Sequence, residues 1–191
     1  MMRVILVAAV IFTHSLAAQG AGAVPTPVVA PTVEYFGVGC GPASPEGTGT
    51  IAVTSRPRIG LPCVADLFGT WAYNGLGDCK HRGQPFLLIG TSRQVWGGLP
   101  LPFMIPPALT LGYPCLALVS GDLVLRAERP LLAQGSSVAS YAGFTIPNLP
   151  ALVGQRLYLQ WLVQRWQVGI TCPHPWPYFY TSNAAEITIG Y

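Results

Sequence analysis

Leu157-Tyr158-Leu159-Gln160-Trp161-Leu162-Val163-Gln164 is the stretch whose reading decides the fold. Leu157, Leu159, Trp161 and Val163 fall on one face and Tyr158, Gln160 and Gln164 on the other, the period of two that an extended strand imposes on its side chains. The same alternation recurs along the chain. Ile51 and Val53 alternate with Thr50, Ala52 and Thr54. Val138, Ala142, Phe144 and Ile146 share a face on which Ser140 is the polar exception, and Ala185, Ile187 and Ile189 oppose Glu186 and Thr188. Two runs, Phe86 to Ile89 and Leu116 to Val119, are apolar on both faces, as expected of central strands covered on each side. Pro62 to Phe68 and Leu123 to Leu125 complete a set of about eight strands, which predicts an all-β, two-sheet antiparallel β-sandwich. Leu149 to Val153 reads as a single helical or 3₁₀ turn.

Composition agrees. The 191 residues include 22 glycines and 19 prolines, which interrupt helices but suit short strands joined by turns. Charged residues make up only 9%, against a usual ~25%. The formal charge of +3 is carried by scattered arginines and the single Lys80, with no basic stripe, so a nucleic-acid partner is not expected.

The chain opens with Met1, Met2 and Arg3, an apolar run from Val4 to Phe12, and small residues at Ser15, Ala17 and Ala18. Charge, short apolar segment and small-residue cleavage site together read as a secretory signal peptide over residues 1–17, with cleavage after Ala23 as the alternative. The run is too short to cross a hydrocarbon core of ~30 Å. Residues 18–34 read as a Pro/Ala-rich linker, and residues 35–191 as one β-sandwich domain. The expected location is secreted or cell-surface, with the periplasm as an alternative. Leu99 to Leu111 is interrupted by Pro100, Pro102, Pro106 and Pro107, so no membrane span is expected after signal removal; the segment reads as a buried irregular edge or extended loop.

Several words in fixed order resemble a group of uncharacterised exported bacterial all-β domains, often found at the C-terminus of large secreted proteins. They are Gly39-Cys40, Arg56-Pro57-Arg58-Ile59-Gly60, Gly98-Leu99-Pro100-Leu101-Pro102-Phe103, Pro114-Cys115-Leu116-Ala117-Leu118-Val119-Ser120, Ile146-Pro147-Asn148, Leu152-Val153-Gly154, Tyr158-Leu159-Gln160-Trp161, and Thr181-Ser182-Asn183-Ala184 leading to Ile187-Thr188-Ile189-Gly190. The resemblance spans about residues 35 to 190 and implies an exported all-β fold with no assigned reaction. Cys40 and Cys115 stand where that family carries a cysteine pair, which implies a disulfide between them. Closing so long a loop stabilises by roughly 4 kcal/mol. The chain departs from the pattern at residues 69–84 and 166–180, which hold Cys79 and Cys172.

An exported chain meets an oxidising milieu, so the remaining cysteines are read first as disulfide partners. Cys79 with Cys172 is the simpler pair, leaving Cys63 as a buried thiol. The competing reading takes Cys79-Lys80-His81 and Cys172-Pro173-His174 as four zinc ligands, but a one-residue gap is strained for chelation. No metal and no cofactor is expected.

Three function classes remain to be weighed. The insertion 166–180 carries Trp166, Trp176, Tyr178, Phe179 and Tyr180 on a proline-stiffened path, a set suited to stacking on sugars or on partner side chains. Packing of the same rings under the loop is the plainer alternative. The carboxylates form no recognisable pair, Gly-x-Ser-x-Gly is absent, and His81 and His174 border cysteines in expected loops, so no catalytic constellation emerges. The expectation is a non-catalytic exported β-sandwich module with a structural or protein-interaction role. A carbohydrate-binding module using the aromatic insertion is the alternative, and a secreted hydrolase comes third; the partner is an unidentified protein or polysaccharide.

Overall fold

The computed structural model describes residues 28–41, 49–68, 80–128, 131–132, 140–168 and 177–191, with backbone alone for 80–82, 131–132 and 167–168. In chain order the strands are β1 (Thr32–Phe36), β2 (Thr50–Val53), β3 (Pro62–Phe68), β4 (Lys80–Gly90), β5 (Val95–Trp96), β6 (Leu99–Pro100), β7 (Phe103–Met104), β8 (Leu116–Ala117), β9 (Leu123–Arg126), β10 (Leu131–Leu132), β11 (Ser140–Thr145), β12 (Arg156–Val168) and β13 (Tyr178–Thr188). Two 3₁₀ turns, Pro107–Leu109 and Pro150–Leu152, are the only helical pieces among the described residues.

The strands form two principal antiparallel sheets. The larger runs β1-β13-β12-β4-β10, with β9 also paired to β4; the smaller runs β11-β3-β2. Strand β9 covers Phe86–Ile89 of β4 and β10 covers Arg82 and Gly83, so the two share one edge in succession. The two sheets pack around one core. Ile51, Cys63, Ala65, Leu67, Ala142 and Ile146 of the smaller sheet meet Leu87, Ile89, Leu159, Trp161, Val163, Ala185 and Ile187 of the larger. Burying the isoleucine, leucine and valine side chains among them contributes about 1.5–3 kcal/mol each. Trp161, fully enclosed, also links the sheets, its indole N–H donating to the Asp66 carbonyl at 3.2 Å.

The alternation read from the sequence holds among the described residues, which do not include Val138. Leu159, Trp161 and Val163 point inward, as do Ala185, Ile187 and Ile189. Ser140 shares the inward face with Ala142 and is buried with it. The Leu149 to Val153 turn is a 3₁₀ turn, and β4 is a central strand apolar on both faces.

Three expectations need correction. Paired structure begins at Thr32, which lies opposite Thr188, so the last residues assigned to the linker belong to an edge strand of the sheet. Leu116 to Val119 is not a central strand: Leu116–Ala117 forms a two-residue ribbon with Phe103–Met104, and Leu118 and Val119 lie on the outer face of the larger sheet against Leu88 and Ala184. The run is apolar on both sides because it roofs that face. The Leu99 to Leu111 segment is irregular but not buried; Leu99 and Met104 are each 56% exposed.

Candidate functional site

Residues 94–121 contain no charged side chain, and they form an arm that leaves β4, folds over the outer face of the larger sheet and returns into β9. Local chemistry shapes it. Gly97 and Gly98 both have positive φ, 55° and 85°, the backbone that a two-residue hairpin turn of matching twist demands, and they join β5 to β6. Trp96 stacks on Phe103 with ring centroids 5.8 Å apart. Farther along, the Thr110 hydroxyl donates to the Tyr113 carbonyl at 2.7 Å and closes the turn that carries Leu111.

Four anchors hold the arm to the sandwich. The first is the Cys40–Cys115 disulfide, with Cα atoms 5.0 Å apart, the pair that the resemblance implied. The second is Gln160, buried on the outer face of β12. Its Oε1 accepts the Leu118 N–H at 2.9 Å, and its Nε2 donates to the Leu116 carbonyl at 3.0 Å and the Ser182 carbonyl at 2.9 Å. A buried amide is tolerated when its capacity is met in this way. The third lies at the return into β9, where Ser120 Oγ accepts the N–H groups of Thr91 and Ser92 at 3.1 Å each. Asp122 there accepts the Thr91 N–H at 2.8 Å and the Thr91 hydroxyl at 2.7 Å. Partial burial acts to raise the Asp122 carboxyl, but the bonds from Thr91 and Ser120 outweigh it and hold the group below its ordinary value. A side chain at Gly90 would overlap the Ser120 carbonyl, so the close approach requires glycine.

The fourth anchor is ionic. Glu186, nearly enclosed on β13, takes Arg156 at 3.0 Å and Arg93 at 3.6 Å, and the Arg93 guanidinium lies 5.7 Å from the Phe36 ring centre. Arg93 thereby ties the base of the arm to β13 and β1.

Beyond its anchors the arm exposes Val95, Leu99, Met104, Leu109 and Leu111. Leu111 adopts φ 53°, the left-handed region that non-glycine residues enter at a cost of about 1–2 kcal/mol. An exposed leucine held in a strained backbone contributes little to the core. Sequence reading missed this surface because an apolar, proline-rich run looks like interior; its lack of any charge was the available signal.

The sequence-derived candidates are placed differently. Tyr178 and Tyr180, expected on a displayed loop, are core residues of β13, in edge-to-face contact at 5.2 Å. Tyr113 meets Tyr180 at 5.9 Å, and Arg165 lies over the Tyr180 ring. Burial, with Tyr178 adjacent, pushes the Tyr180 hydroxyl well above its ordinary value. Trp166 and Phe179 are half-buried on strands, while Trp176 lies outside the described residues, as do Cys79, Cys172 and His174. His81 belongs to β4 rather than to a loop, with its backbone opposite Gln167. Cys63 is buried and unpaired, and desolvation raises its thiol despite the Ser55 hydroxyl beside it. Among the described residues no cluster of three or more His, Cys, Asp and Glu is disposed to hold a metal, and no helix is long and apolar enough to cross a membrane.

No family model, curated protein or solved structure matches this chain.

Proposed function

We propose that the chain is a non-catalytic, exported β-sandwich module that acts at or outside the cell surface through protein interaction, and that the uncharged arm 94–121 is its contact surface. The observation that carries this reading is the pairing of exposure with anchoring. Leu99 and Met104 are more than half exposed on a segment that a disulfide, a buried amide and a carboxylate hold in place. Exposed apolar side chains concentrated on one uncharged segment suit a protein contact, and a surface fixed before binding loses little entropy on association. The disulfide accords with an oxidising location, and the resemblance of the ordered words to exported all-β domains points the same way. The carbohydrate reading has less support, because Tyr178 and Tyr180 are enclosed.

The test is site-specific photo-cross-linking in the producing cells, with the reactive group at Leu99 or, as a control on the smaller sheet, at Tyr141. A discrete protein adduct at Leu99 that disappears when Met104→Asp and Leu109→Asp are introduced supports the arm as the contact surface. Equal labelling at both positions, or none at either, overturns it.

A further inference from the structure

The loop between β2 and β3 carries a second feature that the arm does not involve. Among the described residues, Ser55, Arg56, Arg58, Leu61 and Pro62 line an open hollow of about 340 Å³, at the small end of the range for small-molecule sites. Its frame is rigid. Arg58 forms a parallel bridge with Gly190; the Ile59 N–H donates to the Gly190 carbonyl at 3.1 Å and the Gly190 N–H to the Pro57 carbonyl at 2.9 Å. Gly60, at φ 73°, turns the chain so that its N–H reaches the Ile146 carbonyl at 2.8 Å. Pro57 is buried between the two arginines and, with its ring-locked φ, limits the freedom of the backbone that carries them. The Ser55 hydroxyl accepts the Val64 N–H at 2.6 Å and joins the loop to β3.

The electrostatics of this hollow are one-sided. Among the described residues no carboxylate lines it, and the ion pairs belong to Arg93 and Arg156, not to Arg56 or Arg58. Arg58 Nε is enclosed without an acceptor among the described residues; being enclosed it does not itself face the hollow, so the donors available to a ligand are those of the exposed Arg56 and the terminal N–H groups of Arg58. Guanidinium groups accept planar carboxylates through paired N–H bonds. Leu61 and Pro62 supply apolar wall beside them. We infer that this hollow binds a carboxylate carried on a small apolar body, held by Arg56 and Arg58. Such a group is offered equally by a free branched-chain acid and by the C-terminal residue of a peptide.

The experiment titrates the full chain, labelled for arginine side-chain resonances, with 4-methylpentanoate, with N-acetyl-leucine and with uncharged 4-methylpentanamide. Saturable movement of the Arg58 Nε–H signal with both acids and none with the amide supports the inference; the tighter of the two acids identifies the source as free acid or peptide terminus. Arg56→Gln, at an exposed position, should weaken binding about tenfold, the scale of one charge-assisted contact. Arg58→Lys, which keeps the charge but loses the planar fork, should weaken it at least as much. Binding of the amide as tight as that of the acids, an unchanged affinity in Arg56→Gln, or no saturation with any probe overturns the assignment.

Discussion

The side chain of Gln160 and the backbone of Leu118 are joined across the outer face of the larger sheet, the Leu118 N–H donating to Gln160 Oε1 at 2.9 Å. The same amide donates to Leu116 and Ser182, so one residue of β12 holds the arm and its neighbouring strand β13 together. Gln160→Leu keeps comparable bulk but removes the side-chain partner of three backbone groups, two of them in buried contacts. The expected loss is about 2–4 kcal/mol, read from denaturant midpoints. A loss under about 0.5 kcal/mol would mean that the arm does not depend on this amide.

The Cys40–Cys115 bond closes a separation of 75 residues. The double substitution Cys40→Ser with Cys115→Ser should cost about 4 kcal/mol, measured by equilibrium unfolding. Reductant should lower the melting temperature of the parent protein and leave the double variant's transition governed only by the remaining cysteines.

Leu111 occupies the left-handed region while partly exposed. Leu111→Gly relieves that backbone strain and forfeits little burial. Stability should therefore hold or rise by up to about 1 kcal/mol, whereas an ordinary Leu→Gly change destabilises. The same substitution should weaken partner cross-linking at the arm. A marked fall in melting temperature would count against the strained, surface role.

Acid should weaken the Thr91–Asp122 anchor. The carboxyl is held below its ordinary value of 3.8, so its contribution is fully present above the unfolded-state value and is lost as pH falls through the depressed folded one. Asp122→Asn should destabilise at neutral pH by on the order of 1 kcal/mol, limited because the group is largely exposed. The gap between parent and variant should close below about pH 4. Parallel stability curves across that range would show that the charge plays no part.

Lys80 of β4 stands opposite Val168 of β12, and Cys79 and Cys172 lie outside the described residues. Non-reducing peptide mapping should return a Cys79 to Cys172 cross-link. Cys63, enclosed and with its thiol raised by burial, should alkylate only after denaturation. Stoichiometric zinc with both insertion thiols free would replace the disulfide reading.

How far the sequence carried each part depends on whether its signal is local. Inward sets such as Leu159, Trp161 and Val163 were legible because side-chain alternation is a property of a single extended strand. Ser140 was placed by the same rule against its polarity. The arm was harder, since apolar side chains signal burial by composition alone; only the packed structure distinguishes Leu118, which roofs the sheet, from Leu99, which faces solvent.

From the chain itself came the all-β class and, in strands such as β3, β11 and β12, which side chains face inward, because backbone geometry and hydrophobic spacing act within a few residues. Only the folded molecule decided where Tyr178 and Tyr180 go. Between Gln160 and Leu162 the pairing slips, Ala184 facing the first and Thr181 the second, so β13 carries one residue more than its partner, and the Ser182 hydroxyl takes the Trp161 N–H at 2.9 Å. That bulge reverses the parity of β13 and turns both tyrosines into the core alongside Ala185 and Ile187. A bulge is defined by the strand across from it, and no spacing within one strand reveals it.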